Sequence, residues 1–173
     1  GLGAIGQAVA RRAVGFDMRV LGWTPSGREV AGVESVSLEE LLLRSDFVSV
    51  HLALTGDTRN LLDAERIAAM KPGAVLVNTA RGGIVNESAL ALALDSGHLY
   101  AAGLDVFEQE PVAMDNPLLR HPRVVVVPHI GSATTLTRAK MVDIAVHNAT
   151  AALLGLPMPH CVNPEVYAPG GQR

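Results

Sequence analysis

The sequence predicts a doubly wound α/β domain, in which helices alternate with the strands of a mostly parallel sheet. Short apolar runs alternate along the chain with stretches of helical periodicity, which is the order that crossover connections between parallel strands produce. The composition agrees with this fold. Of the 173 residues, 49% are hydrophobic but only 3% are aromatic, so small aliphatic side chains must build the core.

Five helices are predicted from apolar periodicity and from capping and stop signals. They cover residues 4–15, 38–44, 63–70, 86–97 and about 134–154. Ser37, Asp63 and Asn86 are placed as N-caps, because their side chains can accept a hydrogen bond from a backbone amide of the first turn. Gly15 and the pair Pro72-Gly73 stand where the first and third helices are expected to end.

Five strands are predicted from apolar runs at residues 18–23, 46–52, 74–78, 100–106 and 123–127. The runs 48–50 and 124–127 are apolar enough to be covered on both faces of the sheet. Residues 155–173 contain several prolines and are expected to be irregular. We therefore divide the chain into a domain over residues 1–154 and a C-terminal tail over residues 155–173.

Charge and cysteine content argue against several classes of function. The net charge is −3, so the basic surface of a nucleic-acid-binding protein is not expected. Cys161 is the only cysteine, which argues against a disulfide framework and a multi-cysteine metal site and fits a cytoplasmic location. No apolar run reaches the roughly 18 residues of a membrane span, so no membrane partner is expected.

The first six residues, Gly1-Leu2-Gly3-Ala4-Ile5-Gly6, match the dinucleotide-binding pattern G-x-G-x-x-G. In that pattern Gly1 allows the tight turn, Gly3 lets a pyrophosphate approach the backbone, and Gly6 lets the helix pack closely on the sheet. The N-terminus of the following helix offers free amides to the phosphates. Alone the motif is weak, because a glycine-rich turn can precede any helix.

The preference between NAD and NADP depends on the residue that follows the strand predicted over 18–23. An acidic side chain at that place binds the ribose hydroxyls of NAD. Thr24 stands there instead, and Arg28 follows in the same loop, where it could pair with the 2′-phosphate of NADP. We therefore expect NAD(P)H as the cofactor with NADP(H) favoured. If Arg28 is only a solvated loop residue, NAD(H) stays open.

Arg81, Glu110 and His129 follow three successive predicted strands. Because ligands bind outside the carboxyl ends of parallel strands, we expect these side chains to converge near the glycine motif. Taken singly, each has a simpler interpretation, as a surface arginine, a turn glutamate or a helix-capping histidine. His51 competes for the histidine's role, since it also ends a strand, but no carboxylate of matching character is apparent beside it.

Together the three residue types suit the reduction of a 2-oxo acid. Arg81 would pair with the substrate carboxylate and polarise the carbonyl. His129 would give a proton to the oxygen that becomes negative as hydride is delivered. Glu110 would bind the other ring nitrogen, fix the tautomer and favour the imidazolium.

At these residues the sequence resembles the D-isomer-specific 2-hydroxyacid dehydrogenases. The matching segments are GLGAIG at 1–6, MKPGAVLVNTARGGIVNESAL at 70–90, AAGLDVFEQEP at 101–111 and VPHIGSAT at 127–134. They span nearly the whole chain, and their combination is highly specific. GLDVFEQEP and PHIGSAT are most similar to the glyoxylate/hydroxypyruvate and 2-ketogluconate reductase branch.

The resemblance implies roles for the residues at matching positions. Arg81, Glu110 and His129 would be the catalytic three. Ala4 and Ile5 would contact the pyrophosphate of the cofactor. Thr79 and Arg81, with Ala80 between them, would lie near the nicotinamide ribose, and Asp105 would bind the carboxamide. Gly131 would follow His129 beside the cofactor. The favoured function is thus an NAD(P)-dependent oxidoreductase that reduces a small 2-oxo acid, such as glyoxylate or hydroxypyruvate, to a D-2-hydroxy acid.

The resemblance also implies a separate substrate domain, to which residues 155–173 would return. That domain and the first strand of the cofactor domain are expected to be missing. We therefore expect the chain alone to be poorly stable and nearly inactive, and the full-length protein to be a homodimer. Two other interpretations stay open, a dinucleotide-sensing protein of the corepressor type without turnover and a nonfunctional truncated reading frame.

Overall fold

The computed structural model describes residues 1–167, which divide into two compact units, Gly1–His129 and a second unit that begins at Ile130. The helices and strands of the first unit are α1 (Ala4–Val14), β1 (Leu21–Gly22), β2 (Glu34–Ser35), α2 (Leu38–Arg44), β3 (Phe47–Val50), α3 (Ala64–Ala68), β4 (Val75–Asn78), α4 (Glu87–Asp95), β5 (Ala101–Leu104) and β6 (Val124–Val126). The second unit contains α5 (Thr135–Leu153). Short 3₁₀ helices cover Gly82–Ile84, Pro117–Arg120 and Pro164–Tyr167.

The first unit has the predicted α/β fold. Strands β3, β4, β5 and β6 lie side by side in that order in a parallel sheet, while β1 and β2 form a separate parallel pair. In the larger sheet Val50 aligns with Asn78, and Asn78 aligns with Leu104. Because the strands are parallel and in register, the segments that follow them emerge at the same edge.

The predicted caps are observed. The side chains of Ser37, Asp63 and Asn86 each accept a hydrogen bond from the amide three residues further on, at 3.0, 2.9 and 2.8 Å. In the second unit Thr134 caps α5 in the same way at 3.2 Å. A side-chain acceptor at each of these positions satisfies one of the amides that a helix leaves without a partner.

The core of the first unit lies against the larger sheet. Its side chains come from β3, β4, β5 and the helices α2, α3 and α4, and those that are completely or almost completely buried include Leu42, Ile67, Leu76, Leu90, Leu94 and Leu99. Burying a leucine contributes about 1.5–3 kcal/mol, so this cluster stabilises the packing of the helices on the sheet.

Two expectations about the strands are wrong. The run 18–23 contributes only Leu21–Gly22 to a sheet, and its partner Glu34–Ser35 was not predicted, because two polar residues carry no periodic signal. The runs 48–50 and 124–127, which overlap β3 and β6, are not covered on both faces, since Ser49 is exposed and Val125 is 69% exposed. Both strands lie at the ends of the larger sheet, where less protein is available to cover them.

A groove of about 890 Å³ lies between β1 and β3. Its lining is mostly apolar and includes Val9, Ala13, Phe16, Leu21, Leu41 and Phe47. Both strands are at the edge of their sheets, so neither pairs with another described strand across the groove. The groove therefore separates the parallel strands into two sheets.

The second unit consists of α5 and a short segment after it. None of the residues in α5 is buried, and its exposed apolar side chains include Leu136, Met141, Val142, Val146 and Leu153. The expectation of an irregular tail is wrong over Pro164–Tyr167, where a 3₁₀ turn forms and the Tyr167 hydroxyl accepts the Met158 amide at 3.1 Å. Residues 168–173 lie outside the described part of the chain. Within that part, no helix combines the length and apolar character that crossing a membrane requires.

Candidate active site

Arg81, Glu110 and His129 lie in the segments that follow β4, β5 and β6, as predicted, and the structure brings the last two into contact. His129 Nδ1 and Glu110 Oε2 are 2.7 Å apart. The two side chains are 49% and 40% exposed, so the pair stands where a ligand can reach it. A carboxylate on Nδ1 fixes the orientation of the ring and leaves Nε2 for proton exchange with a ligand.

The pKa of Glu110 is lowered from its ordinary value of 4.5, chiefly by the hydrogen bond with His129. Partial burial opposes this shift, while the Phe107 amide, which donates to Glu110 Oε1 at 3.1 Å, favours the ionised form. The positive charges of His129 and Arg81 contribute in the same direction. Glu110 is therefore an anion at neutral pH and a suitable partner for a protonated imidazole.

His129 has a left-handed backbone conformation with φ of 52°. Few residues other than glycine adopt this conformation, although histidine is among the more tolerant ones. Its amide donates to the Val127 carbonyl at 3.1 Å, which closes a tight turn directly after β6. The surrounding contacts hold a strained backbone at this position, as they often do in functional sites.

Arg81 lies beside this pair. Its charge lowers the pKa of Glu110, but its guanidinium donates a hydrogen bond to the Ala80 carbonyl at 2.7 Å. The Arg81 side chain is exposed. It is thus a neighbouring cation that is accessible to an anionic ligand.

The glycine loop, residues 1–6, lies between the ends of β1 and β3. The Gly1 nitrogen donates to the Trp23 carbonyl at 2.8 Å, and a Cβ added at Gly1 would stand 2.5 Å from the His51 carbonyl oxygen. A Cβ at Gly6 would overlap the carbonyl of Gly1. Positions 1 and 6 therefore require glycine because backbone meets backbone there.

Gly3 differs from the other two glycines of the loop, because no atom lies within 4 Å of the position that a Cβ would occupy. It is the N-cap of α1 and supplies no capping side chain. The amides of the first helical turn, including those of Ala4 and Ile5, have no partner within the helix. Open space beside unpaired amides fits the pyrophosphate of a dinucleotide.

Thr24 and Arg28 lie in the loop that follows β1. The Thr24 carbonyl accepts the Gly27 amide at 3.0 Å, and Gly27 has a φ of 63°, so residues 24–27 form a tight turn. Arg28 is exposed directly after this turn. Because Trp23 is bonded to Gly1, this loop starts beside the glycine loop.

Three of the remaining predicted cofactor residues follow β4 and β5, and the fourth, Gly131, comes after β6. Thr79 is exposed and Ala80 is half-buried directly after β4, and Asp105 follows β5 with only 3% of its surface exposed. The Asp105 amide donates to the Asn78 carbonyl at 3.0 Å, which continues the pairing of these strands. Gly131 belongs to the second unit.

His51 lies against the glycine loop, not beside Arg81 and Glu110. Its Nε2 is 2.9 Å from the Ser49 hydroxyl. Burial lowers the pKa of His51. His51 contacts the Ser49 hydroxyl, whereas His129 contacts the Glu110 carboxylate, and this difference in partner favours His129 as the proton donor.

Sequence reasoning missed Asn78 and Gly82, which hold the Arg81 segment in place. Asn78 is a buried polar residue at the end of an otherwise apolar strand, and this contrast was the available signal. Gly82 is required by a contact with Phe107, which is distant in the sequence. No pattern in the local sequence predicts such a contact.

Comparisons with known proteins show which family the chain is similar to. The profile of the D-isomer specific 2-hydroxyacid dehydrogenase NAD binding domain matches residues 1–131. A glyoxylate reductase from Korarchaeum cryptofilum is 48% identical over 170 residues, which are 96% of this chain and 51% of that protein. The chain thus spans about half the length of the curated relatives it matches.

Solved structures show the same likeness. The TT0316 protein from Thermus thermophilus has a TM-score of 0.87 and 49% identity, over 94% of this chain and 51% of that one. An NADPH-dependent glyoxylate/hydroxypyruvate reductase from Sinorhizobium meliloti, in complex with NADP and sulfate, has a TM-score of 0.80 and 34% identity, over 95% of this chain and 54% of that one.

Proposed function

This chain belongs to the D-isomer specific 2-hydroxyacid dehydrogenase family, and on that premise we propose that the protein reduces a small 2-oxo acid with NAD(P)H. The product would be a D-2-hydroxy acid, and the relatives named above favour glyoxylate or hydroxypyruvate as substrate. The observation that carries the proposal is the 2.7 Å contact between Glu110 and His129 beside Arg81.

The roles of the three residues follow from their chemistry. The nicotinamide, when bound, supplies the hydride. Arg81 binds the substrate carboxylate and polarises the carbonyl, because its guanidinium offers several donors in one plane. His129 gives a proton from Nε2 to the carbonyl oxygen, and Glu110 stabilises the imidazolium through Nδ1.

The cofactor would be held by the glycine loop. Gly1, Gly3 and Gly6 shape the space at the start of α1, where the amides of Ala4 and Ile5 are available to the pyrophosphate. Thr79, Ala80, Asp105 and Gly131 are the proposed contacts of the nicotinamide half. Thr24 and Arg28 favour NADP(H), because no acidic side chain stands at the end of β1 to bind the ribose hydroxyls.

The decisive experiment uses the full-length protein with a panel of 2-oxo acids and with NADH and NADPH side by side. We expect His129→Ala to lower kcat by roughly 10²–10⁴-fold and to leave the Kd of NADPH unchanged, because the imidazole serves the proton transfer. His147→Ala, at an exposed position on α5, is the matched control. Turnover that persists in His129→Ala would remove the assigned role. A full-length protein that binds NADPH but reduces none of the acids would favour a sensing function.

We also propose that the full-length protein is a cytoplasmic homodimer and that its cofactor domain extends to residue 154. The exposed apolar side chains of α5 and the continuity of that helix over Thr135–Leu153 support the dimer and the boundary. The free Cys161 is compatible with a reducing compartment. Light scattering of the full-length protein would test the dimer.

A further inference from the structure

We infer that Asn78 and Gly82 are positioning residues, which fix Arg81 relative to the Glu110–His129 pair. The inference rests on the proposed function, because it concerns the residues that serve the same reaction. Neither residue is placed to touch a substrate. Both act through the backbone of the segment that carries Arg81.

Asn78 holds this segment from inside the protein. Only 1% of the residue is exposed, and both ends of its side-chain amide are used. Its Oδ1 accepts the Ala80 amide at 3.1 Å, and its Nδ2 donates to the Arg81 carbonyl at 2.9 Å. A buried amide that is satisfied on both sides selects one backbone conformation, because any other leaves polar groups without partners.

Gly82 joins the Arg81 segment to the segment that follows β5. A Cβ at this position would overlap the carbonyl group of Phe107 and crowd the amide of Glu108. The two segments are therefore in backbone contact, and any side chain at position 82 must push them apart. At the neighbouring Gly83 an added Cβ would meet the end of the flexible Arg59 side chain at 3.2 Å, so the space there is adjustable.

Phe107 links the contact at Gly82 to the Glu110–His129 pair. Its carbonyl faces Gly82, while its amide donates to Glu110 Oε1 at 3.1 Å. The other oxygen of Glu110 is bonded to His129. A displacement at Gly82 therefore reaches His129 through three consecutive contacts, at Phe107, at Glu110 and at His129 itself.

The segment after β5 is also held to the start of α4. It therefore cannot move away as a whole when a side chain at position 82 pushes against it. The Glu87 amide donates to Glu108 Oε1 at 3.0 Å, and Asn116 donates to Glu87 Oε2 at 2.6 Å. The separation between the carboxylate anchor Arg81 and the proton donor His129 thus depends on the backbone contact at Gly82 and on the hydrogen bonds of the segment after β5. A misplacement of about 1 Å between reacting groups can lower a rate by roughly a hundredfold.

The first test compares Gly82→Ala with Gly83→Ala in the full-length protein. For glyoxylate we expect Gly82→Ala to lower kcat/KM by roughly a hundredfold and to raise KM. Gly83→Ala should keep the wild-type constants. A purely structural role would lower the melting temperature but leave the kinetic constants of the folded enzyme intact. Equal kinetic constants for the two variants would overturn the inference.

The second test uses hydrogen–deuterium exchange, which needs no turnover. In Asn78→Ala we expect faster exchange both in peptides that contain Arg81 and in peptides that contain Phe107 to Glu110. Asn148→Ala is the matched control, because both ends of the Asn148 side-chain amide are also hydrogen-bonded to backbone, in this case to the amide and carbonyl of His160 in the second unit. Faster exchange confined to the Arg81 peptides would overturn the coupling.

If Asn78→Ala fails to fold, Asn78→Asp retains the shape and the acceptor for Ala80 and replaces the donor to the Arg81 carbonyl with a second acceptor oxygen. Its loss in kcat/KM should disappear in an Arg81→Ala background, because the two residues act as a unit. An equal loss in both backgrounds contradicts the inference. If the full-length protein reduces no 2-oxo acid, the proposed function fails, and the exchange pattern alone then decides the positioning role.

Discussion

At the scale of single residues, the Glu110–His129 pair combines a short hydrogen bond with a strained backbone. The carboxylate is kept ionised by the bond to His129 and by the Phe107 amide, and His129 is held in a left-handed conformation. A protonated imidazole beside a carboxylate is a proton donor whose orientation is fixed in advance. Arg81 adds a cation beside this donor without being bonded to it, so its guanidinium is accessible to a substrate carboxylate.

The lowered pKa of Glu110 predicts a pH-dependent contribution to stability. A carboxyl group whose pKa is lowered in the folded state stabilises the fold above its ordinary pKa of 4.5, and this contribution is lost as the pH falls through the lowered value. We expect Glu110→Gln to reduce the urea midpoint at about pH 7 and to match the wild type at about pH 2. Glu29→Gln, in an exposed loop, is the control. A difference that persists in acid would contradict this prediction.

Thr24 predicts the outcome of a cofactor exchange. Thr24→Asp places a carboxylate where it can accept the ribose hydroxyls of NADH and repel the 2′-phosphate of NADPH. We expect the ratio of the two dissociation constants to change in favour of NADH by about tenfold, which corresponds to about 1.4 kcal/mol. Fluorescence titration measures both constants, and Thr24→Val is the uncharged control. An unchanged ratio of the two dissociation constants would mean that this loop does not contact the 2′-phosphate.

At the scale of helices and strands, local signals predicted most elements, and the exceptions have a physical reason. The caps at Ser37, Asp63 and Asn86 were visible because a cap bonds an amide only three residues away. The strand Glu34–Ser35 was not visible, because its stability comes from pairing with Leu21–Gly22 and not from its own residues. Ion pairs of Glu34 with Arg19 and Arg44 add to this tertiary support.

Helix α4 allows a test of which of its faces packs into the core. Leu90 is completely buried, whereas Leu92 on the same helix is 69% exposed. We expect Leu90→Ala to lower the free energy of unfolding by about 2–5 kcal/mol, because it leaves a cavity. Leu92→Ala should change it by at most about 0.5 kcal/mol. Denaturant unfolding measures both, and similar losses in the two variants would contradict the observed packing.

At the scale of the whole molecule, the groove between β1 and β3 is the feature of the first unit that bears most on its stability. Two parallel strands present their edges to it, and large apolar side chains such as Phe16 and Phe47 are 80% and 59% exposed. Unpaired edges and exposed apolar surface favour association and lower stability. The groove therefore supports the expectation that these residues are poorly stable when isolated.

The isolated 173-residue chain should accordingly unfold over a broad temperature range and aggregate on heating. Calorimetry and light scattering measure these properties, with the full-length protein as the comparison. We expect the full-length protein to melt at a higher temperature and more cooperatively. A sharp and reversible transition of the isolated chain would show that the groove costs little stability.

The sequence by itself determined the fold class, the glycine loop, the helix caps and the positions of Arg81, Glu110 and His129 after successive strands. These features depend on residues a few positions apart, so local sterics and hydrogen bonding reveal them. Only the tertiary structure decided that Glu110 and His129 lie 2.7 Å apart and that Gly82 meets Phe107. Those contacts join residues that are distant along the chain, and their approach depends on strand order, register and the packing of the core beneath them.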